Sequence, residues 1–178
     1  MHAIWQIFSL AIIQFSLLDH EHCISAHNAV VHPPEASEYN GTLYAGKLSV
    51  NLQLHGFDRE TAEAKAVHIH QFGDLSSSCA STGGHYNPHG MNHPQHPGDF
   101  GNFMTQNGRI RATIESEATL FGGHSVIGRA VVVHQHQDDL GQGGDASSLQ
   151  NGNAGPRVGC CVIGITSAGL WAKHVNKP

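Results

Sequence analysis

Two stretches of this chain alternate apolar and polar residues with a period of two, Leu48-Ser-Val-Asn-Leu-Gln-Leu54 and Ala66-Val-His-Ile-His-Gln-Phe72. That period puts every second side chain on one face, as a half-buried β-strand requires and a helix does not. Arg109-Ile-Arg-Ala-Thr-Ile114, Ala130-Val-Val-Val133 and Cys161-Val-Ile-Gly-Ile165 supply further strands. Between them lie two long segments, 73–101 and 138–156, crowded with turn-forming Gly, Asn and Ser. Loops of that length are uncommon in a compact domain unless they carry function or are disordered. Only 13% of residues are charged and 21 are glycine, which disfavours a helical bundle, while 39% hydrophobic residues suffice for a packed interior. The expectation is one all-β domain with two functional loops.

The apolar run from Ala3 to Leu18 is interrupted by Gln6, Ser9, Gln14 and Ser16. At roughly 16 residues it falls short of the ~20 needed to span a bilayer. It reads as a secretory signal peptide; the competing reading is an amphipathic oligomer seam of Ile4, Phe8, Ala11, Phe15 and Leu18. The chain then divides into residues 1–26 (signal or oligomerisation segment), 27–38 (linker), 39–170 (the β domain) and 171–178 (a short tail). Four cysteines, Cys23, Cys79, Cys160 and Cys161, show no CxxC spacing, so disulfides in an oxidising compartment are favoured over a thiolate metal site. Adjacent Cys160 and Cys161 do not suit each other, which leaves two pairing schemes, and on a strand the two would face opposite sides. The sequon at Asn40 (Asn-Gly-Thr) makes it a glycosylation candidate and agrees with secretion. A net charge of -5 argues against a nucleic-acid partner.

Sixteen histidines are the compositional anomaly, and imidazole is the commonest metal ligand. His68 and His70, two apart in a strand, project from one face. Period alone would equally make them a solvent-facing pair. His85, His93, His96 and Asp99 follow in the first long loop, where Pro88, Pro94 and Pro97 stiffen the backbone. Three imidazoles and a carboxylate make a tetrahedral zinc set. His134 closes the Val131-Val-Val run, and four imidazoles in a tetragonal arrangement suit Cu(II).

Taken in order, His68-Ile-His-Gln-Phe-Gly-Asp74, Gly84-His-Tyr-Asn-Pro88, His93-Pro-Gln-His-Pro-Gly-Asp-Phe-Gly-Asn102, Val131-Val-Val-His134 with Asp138-Asp-Leu-Gly141, and Gly152-Asn-Ala-Gly-Pro-Arg157 before Cys160 resemble the copper/zinc superoxide dismutases. The His-Pro-Gln-His-Pro-Gly-Asp run, the Cys160-Cys161 pair and the leader resemble the extracellular branch. The resemblance implies an eight-stranded antiparallel Greek-key β-barrel, flattened and sandwich-like. It implies dismutation of superoxide to oxygen and hydrogen peroxide by a redox-cycling copper bridged through a histidine to a structural zinc. Copper falls to His68, His70, His85 and His134, and zinc to His85, His93, His96 and Asp99, with His85 shared. Asp138 becomes the carboxylate linking His68 to His93, and Arg157 the cation that docks the anion. Cys79 pairs with Cys160, which leaves Cys161 for Cys23. An extracellular homodimer is implied, or a tetramer if the N-terminal segment is retained.

Four features qualify the resemblance. The stretch from Gln142 to Asn151 has no lysine, and Gln150 stands where many family members carry a cation. Pro156 precedes Arg157 where another residue is usual. The tail has only Lys173 and Lys177, too few for a heparin-binding run. The other histidines, His89 and His136 among them, fall outside the matched ligands. The rival reading is a non-enzymatic copper- or zinc-binding module on the same fold.

Overall fold

The computed structural model describes residues 10–14, 25–32, 48–120 and 122–166. In chain order the elements are β1 (Leu10–Gln14), β2 (Ser25–His32), β3 (Leu48–His55), β4 (Ala64–His70), β5 (Ser76–Cys79), a 3-10 turn (Ala80–Thr82), β6 (Asp99–Met104), β7 (Arg109–Ser116), β8 (Ala130–His134), a single helical turn α1 (Ser148–Asn151) and β9 (Arg157–Thr166). Eight strands pair in the order β6-β4-β8-β9-β1-β2-β3-β7, every pairing antiparallel. β9 crosses between layers: Arg157 to Val162 pair with β8, and Ile163 to Thr166 pair with β1. β1 and β2 lie in the segments assigned from sequence to a leader or seam and a linker.

The expected barrel is corrected in one respect. Among the described residues β6 and β7 sit at the two ends of the strand order and do not pair, so two antiparallel sheets form an open sandwich. Their hairpin pairing stops at the Gln106–Arg109 bridge, because β6 follows β4 into one layer and β7 follows β3 into the other.

The alternation of β3 is realised residue by residue. Leu48, Val50, Leu52 and Leu54 are buried while the residues between them are half-exposed. They pack against Val67 and Ile69 of β4, Ile110 of β7, Val131 and Val133 of β8, and Cys161 and Ile163 of β9. β4 departs from the simple pattern, since His68 and His70, on the face away from that core, are buried too. The two long loops cover them. Gln71 N donates to Gly84 O at 2.9 Å and Tyr86 N to Ile69 O at 2.8 Å, folding the first loop back over β4. Gly98 permits the closest approach, for a Cβ there would collide with the Ile69 side chain. His93 N donates to Leu149 O at 2.9 Å, tying the second loop to the first.

Neither loop is structureless. The first contains β5 and the 3-10 turn and ends in β6, whose Asp-Phe-Gly-Asn-Phe-Met sequence carries a Gly101 at φ +84 and reads as a turn. Cys79 and Cys160 form a disulfide across a sequence separation of 81, packed with Ala130 and Val132 in a second small core. On a chain-entropy basis a loop that long contributes about 4.5 kcal/mol. Cys161 faces the opposite side, as strand period required, and is a free buried thiol in the main core. Cys23, the partner expected for Cys161, lies outside the described residues, as do Asn40 and the C-terminal tail.

Candidate metal centre

β4 ends in His68 and His70, and antiparallel β8 pairs Val132 with His68, so His134 at its end is a diagonal neighbour of His68 on the same face. His85 joins them through an isolated bridge with His70. One nitrogen from each of His68, His70, His85 and His134 falls in a group whose atoms all lie within 4.8 Å of one another. A second such group joins His68, His85, His93 and Asp99, and His96 Nδ1 lies 2.9 Å from Asp99 Oδ2. All seven residues anticipated as ligands are thus gathered in one place.

Hydrogen-bond chemistry shows what this place requires. His70 Nδ1 donates to Gly83 O at 2.9 Å, and His134 Nδ1 donates to Gly155 O at 3.1 Å. Each neutral ring has one N–H, so both Nε2 atoms are bare acceptors, yet they stand 3.2 Å apart. His68 and His93 each donate from Nε2 to Asp138, at 2.7 Å to Oδ2 and 2.7 Å to Oδ1. His96 donates from Nε2 to Met91 O at 3.0 Å. The remaining nitrogens, His68 Nδ1, His93 Nδ1 and His96 Nδ1, are buried without a hydrogen-bond partner, as is His85 Nε2. Two of these bare lone pairs face a carboxylate oxygen, since His93 Nδ1 and His96 Nδ1 are each 2.9 Å from Asp99 Oδ2. Lone pairs aimed at lone pairs in a buried site repel unless a cation sits among them. The donor set fits a metal: four imidazoles on one side, three imidazoles and one carboxylate on the other.

His85 stands between the two groups. Its Nδ1 is 3.1 Å from Asp99 Oδ1, and its ring centroid is 4.1 Å from that of His68 and 5.0 Å from that of His70. Asp138 ties the groups together from behind and is itself clamped by Asn102, which donates to Asp138 O at 2.8 Å and accepts from Asp138 N at 2.7 Å. Carboxylates in such positions orient the imidazoles of metal sites. Gly152, the αL residue closing α1 at φ +65, sits against this bridge. A Cβ there would collide with the Asp138 carboxylate and lie 2.6 Å from His93 Nε2. Gly152→Ala is therefore expected to lower zinc affinity by about 10-fold or more, read by competition with a chromophoric chelator.

Electrostatics in the metal-free protein follow from burial and the two carboxylates. Burial holds His85 and His134 down at about 4 and His70 at about 2. Burial also opposes protonation of His93, but hydrogen bonds to Asp138 and Asp99 raise it to about 9. A proton then takes the place of a cation between His93 and Asp99. Against burial, the surrounding imidazoles hold Asp99 and Asp138 well below the carboxylate range. Below about pH 6.5 the unfolded chain binds more protons than the native one at His70, His85 and His134; above it, the native chain binds more at His93. Metal-free protein should thus lose stability as the pH falls from about 6.5 towards 4, and again as it rises towards 9. Urea unfolding across pH checks both limbs.

Arg157 opens β9 and turns its side chain back onto the disulfide turn. Nη1 donates to Cys79 O at 2.7 Å, Ala80 O at 3.2 Å and Thr82 Oγ1 at 3.0 Å, and Nη2 donates to Gly83 O at 2.7 Å. Pro156 does not prevent this; its carbonyl accepts from Gln135 N at 2.8 Å. A cleft of about 410 Å³ opens here, with His70, His134 and Arg157 at its base and Ser147, Gln150 and Asn153 at its rim. His89 and His136 stay outside both groups: His89 is exposed against His124, and His136 lies beside Gly155. Thr82, Asn102 and Gly152 are site residues that motif spacing did not single out. A hydroxyl, an amide and a glycine carry no ligand signature.

A family model described as copper/zinc superoxide dismutase matches residues 36–163. The chain is 52% identical over 135 residues to the extracellular superoxide dismutase [Cu-Zn] of Homo sapiens, covering 74% of this chain and 55% of that protein. It is 51% identical to the extracellular enzyme of Oryctolagus cuniculus over 133 residues, covering 74% of this chain and 54% of the relative. The chain thus spans little more than half the length of these two relatives. A superoxide dismutase [Cu-Zn] of Yarrowia lipolytica is 41% identical over 131 residues, 69% of this chain and 84% of its own. Among solved structures, that of the clock protein EA4 superposes with a TM-score of 0.73 at 34% identity, covering 93% of this chain and all of the other.

Proposed function

The chain belongs to the copper/zinc superoxide dismutase family, and from that premise we propose that it dismutates superoxide to oxygen and hydrogen peroxide at the histidine cluster. The observation that carries this reading is the convergence of bare imidazole nitrogens at the base of an open cleft beside a fixed arginine. His68, His70, His85 and His134 would hold copper; His85, His93, His96 and Asp99 would hold zinc. Copper supplies the reversible one-electron change that dismutation needs, and zinc, which has no redox chemistry, supplies rigidity.

The chain's own residues do the rest. Arg157 gives the anion a fixed positive partner beside His70 and His134. Asp138 fixes the orientation of His68 and His93. His85 Nε2, buried and without a hydrogen-bond partner, can take up a proton and pass it to reduced dioxygen. Two superoxide anions and two protons yield one oxygen and one hydrogen peroxide.

Metal analysis together with a superoxide-consumption assay tests this. Two metals per chain with turnover is the expected result. Two metals without turnover would return the binding module, and turnover without zinc would indicate a copper-only enzyme. The module is not favoured, since the copper set, the zinc set and the arginine are all present.

The rim is uncharged at Ser147, Gln150 and Asn153, so a single cation draws the substrate in. Steering by focused fields is what salt screens. The rate is expected to change by less than about twofold between ~10 mM and ~150 mM salt, as followed by pulse radiolysis.

Further parts of the proposal concern the whole protein. Relatives named extracellular support secretion, with residues 1–26 a leader or a retained oligomerisation segment ahead of the superoxide dismutase-like domain at 39–170. Phe72 and Ile165, 49% and 72% exposed, are large apolar side chains that homodimerisation would cover. Light scattering on secreted material reads the assembly, and its intact mass reports the processing site and any sugar at Asn40.

A further inference from the structure

We propose that the Thr82 hydroxyl is a positioning group for Arg157, fixing which edge of the guanidinium faces the cleft. This rests on the reading that the cleft receives an anion. Thr82 ends the 3-10 turn and is 0% exposed. Its hydroxyl proton is donated to Cys79 O at 2.9 Å, so the oxygen's lone pairs are free to accept from Arg157 Nη1 at 3.0 Å. The same oxygen lies 3.4 Å from His70 Nδ1, placing it between the arginine and one imidazole of the cluster.

Arg157 has four acceptors, and three of them are the backbone carbonyls of Cys79, Ala80 and Gly83. Thr82 is the only one supplied by a side chain. These four occupy both Nη1 hydrogens and one on Nη2. Among the described residues Nε–H has no protein acceptor, which leaves a charged donor for an anion in the cleft that Arg157 lines. Without the Thr82 oxygen, Nη1 keeps only the Cys79 and Ala80 carbonyls, the second at 3.2 Å, and the guanidinium can tilt about its Nη2–Gly83 bond and turn its free donor from the cleft. Threonine and valine have nearly the same shape, so removing only the polar atom isolates this role.

Azide, a small anion that binds Cu(II) and can be followed by its charge-transfer absorption, is the probe. It is titrated into full-length protein loaded with copper and zinc. Thr82→Val is expected to weaken azide binding about 5- to 10-fold and Thr82→Ser to stay within about twofold of the parent. In an Arg157→Ala background, Thr82→Val should add less than about twofold, because its effect passes through the arginine. Parent-like azide affinity in Thr82→Val overturns the proposal. So does equal weakening in both backgrounds, which would place the effect on His70 or on packing. If Thr82→Val does not fold, Thr82→Ala against Thr82→Ser decides by the same criteria. Unchanged affinity in Arg157→Ala alone overturns the anion-docking reading itself, and this assignment with it.

Discussion

His134→Ala is expected to cut superoxide consumption by at least about 100-fold, a loss of roughly 2.7 kcal/mol in barrier terms, while zinc content stays at the parent level. His134 is buried at the end of β8, with Nδ1 committed to Gly155 O and Nε2 aimed at His70. Among the described residues Asp99, the carboxylate of the other group, is met by His85, His93 and His96 and not by His134. The substitution removes one of four nitrogens from one side of the cluster and none from the other. β8 keeps its pairing to β4 and β9, so the sandwich persists. Metal analysis beside the activity assay separates the outcomes: copper falls, zinc does not. Full activity would remove His134 from the copper set.

The second large effect falls on the opposite side of the cluster. Asp99 is buried and stands 2.9 to 3.1 Å from nitrogens of His85, His93 and His96. It also accepts the His96 backbone N–H at 3.1 Å and lies opposite His68 where β6 meets β4. Asp99→Ala leaves three imidazoles converging on nothing. Breaking a buried charged network from one side costs about 3 kcal/mol or more. Thermal unfolding should show a lowered midpoint, and added zinc, which raises the midpoint of the parent protein by mass action, should raise that of the variant little. A variant stabilised by zinc as strongly as the parent would take Asp99 out of the zinc set.

Much of this is legible in the amino-acid sequence. The Leu48 to Leu54 alternation encodes which face of β3 is buried, because one residue of slip would turn every leucine to solvent. The candidate ligands were legible through their order and spacing, which match a known family, and not through scarcity, since ten of the sixteen histidines lie outside the set. The burial of His68 and His70 was not, since strand period does not show that the following loop folds back over β4 or that the 138–156 loop ties onto it. β6 was hidden in a segment whose glycine and asparagine read as turn. Among the described residues β6 and β7 leave the sandwich open, meeting only at the Gln106–Arg109 bridge because they belong to different layers. Cys161 packs in the main core with Val131, Val133 and Ile163, as a small apolar side chain would.

Asp138 has a consequence for how the centre is assembled. One carboxylate holds a copper-side ring with one oxygen and a zinc-side ring with the other, so ordering either ring pre-orders the second. Under the proposed assignment, uptake of the two ions is cooperative. By thermodynamic reciprocity each tightens the other by the same factor. Half-loaded chains should then be scarce whenever both metals are in supply.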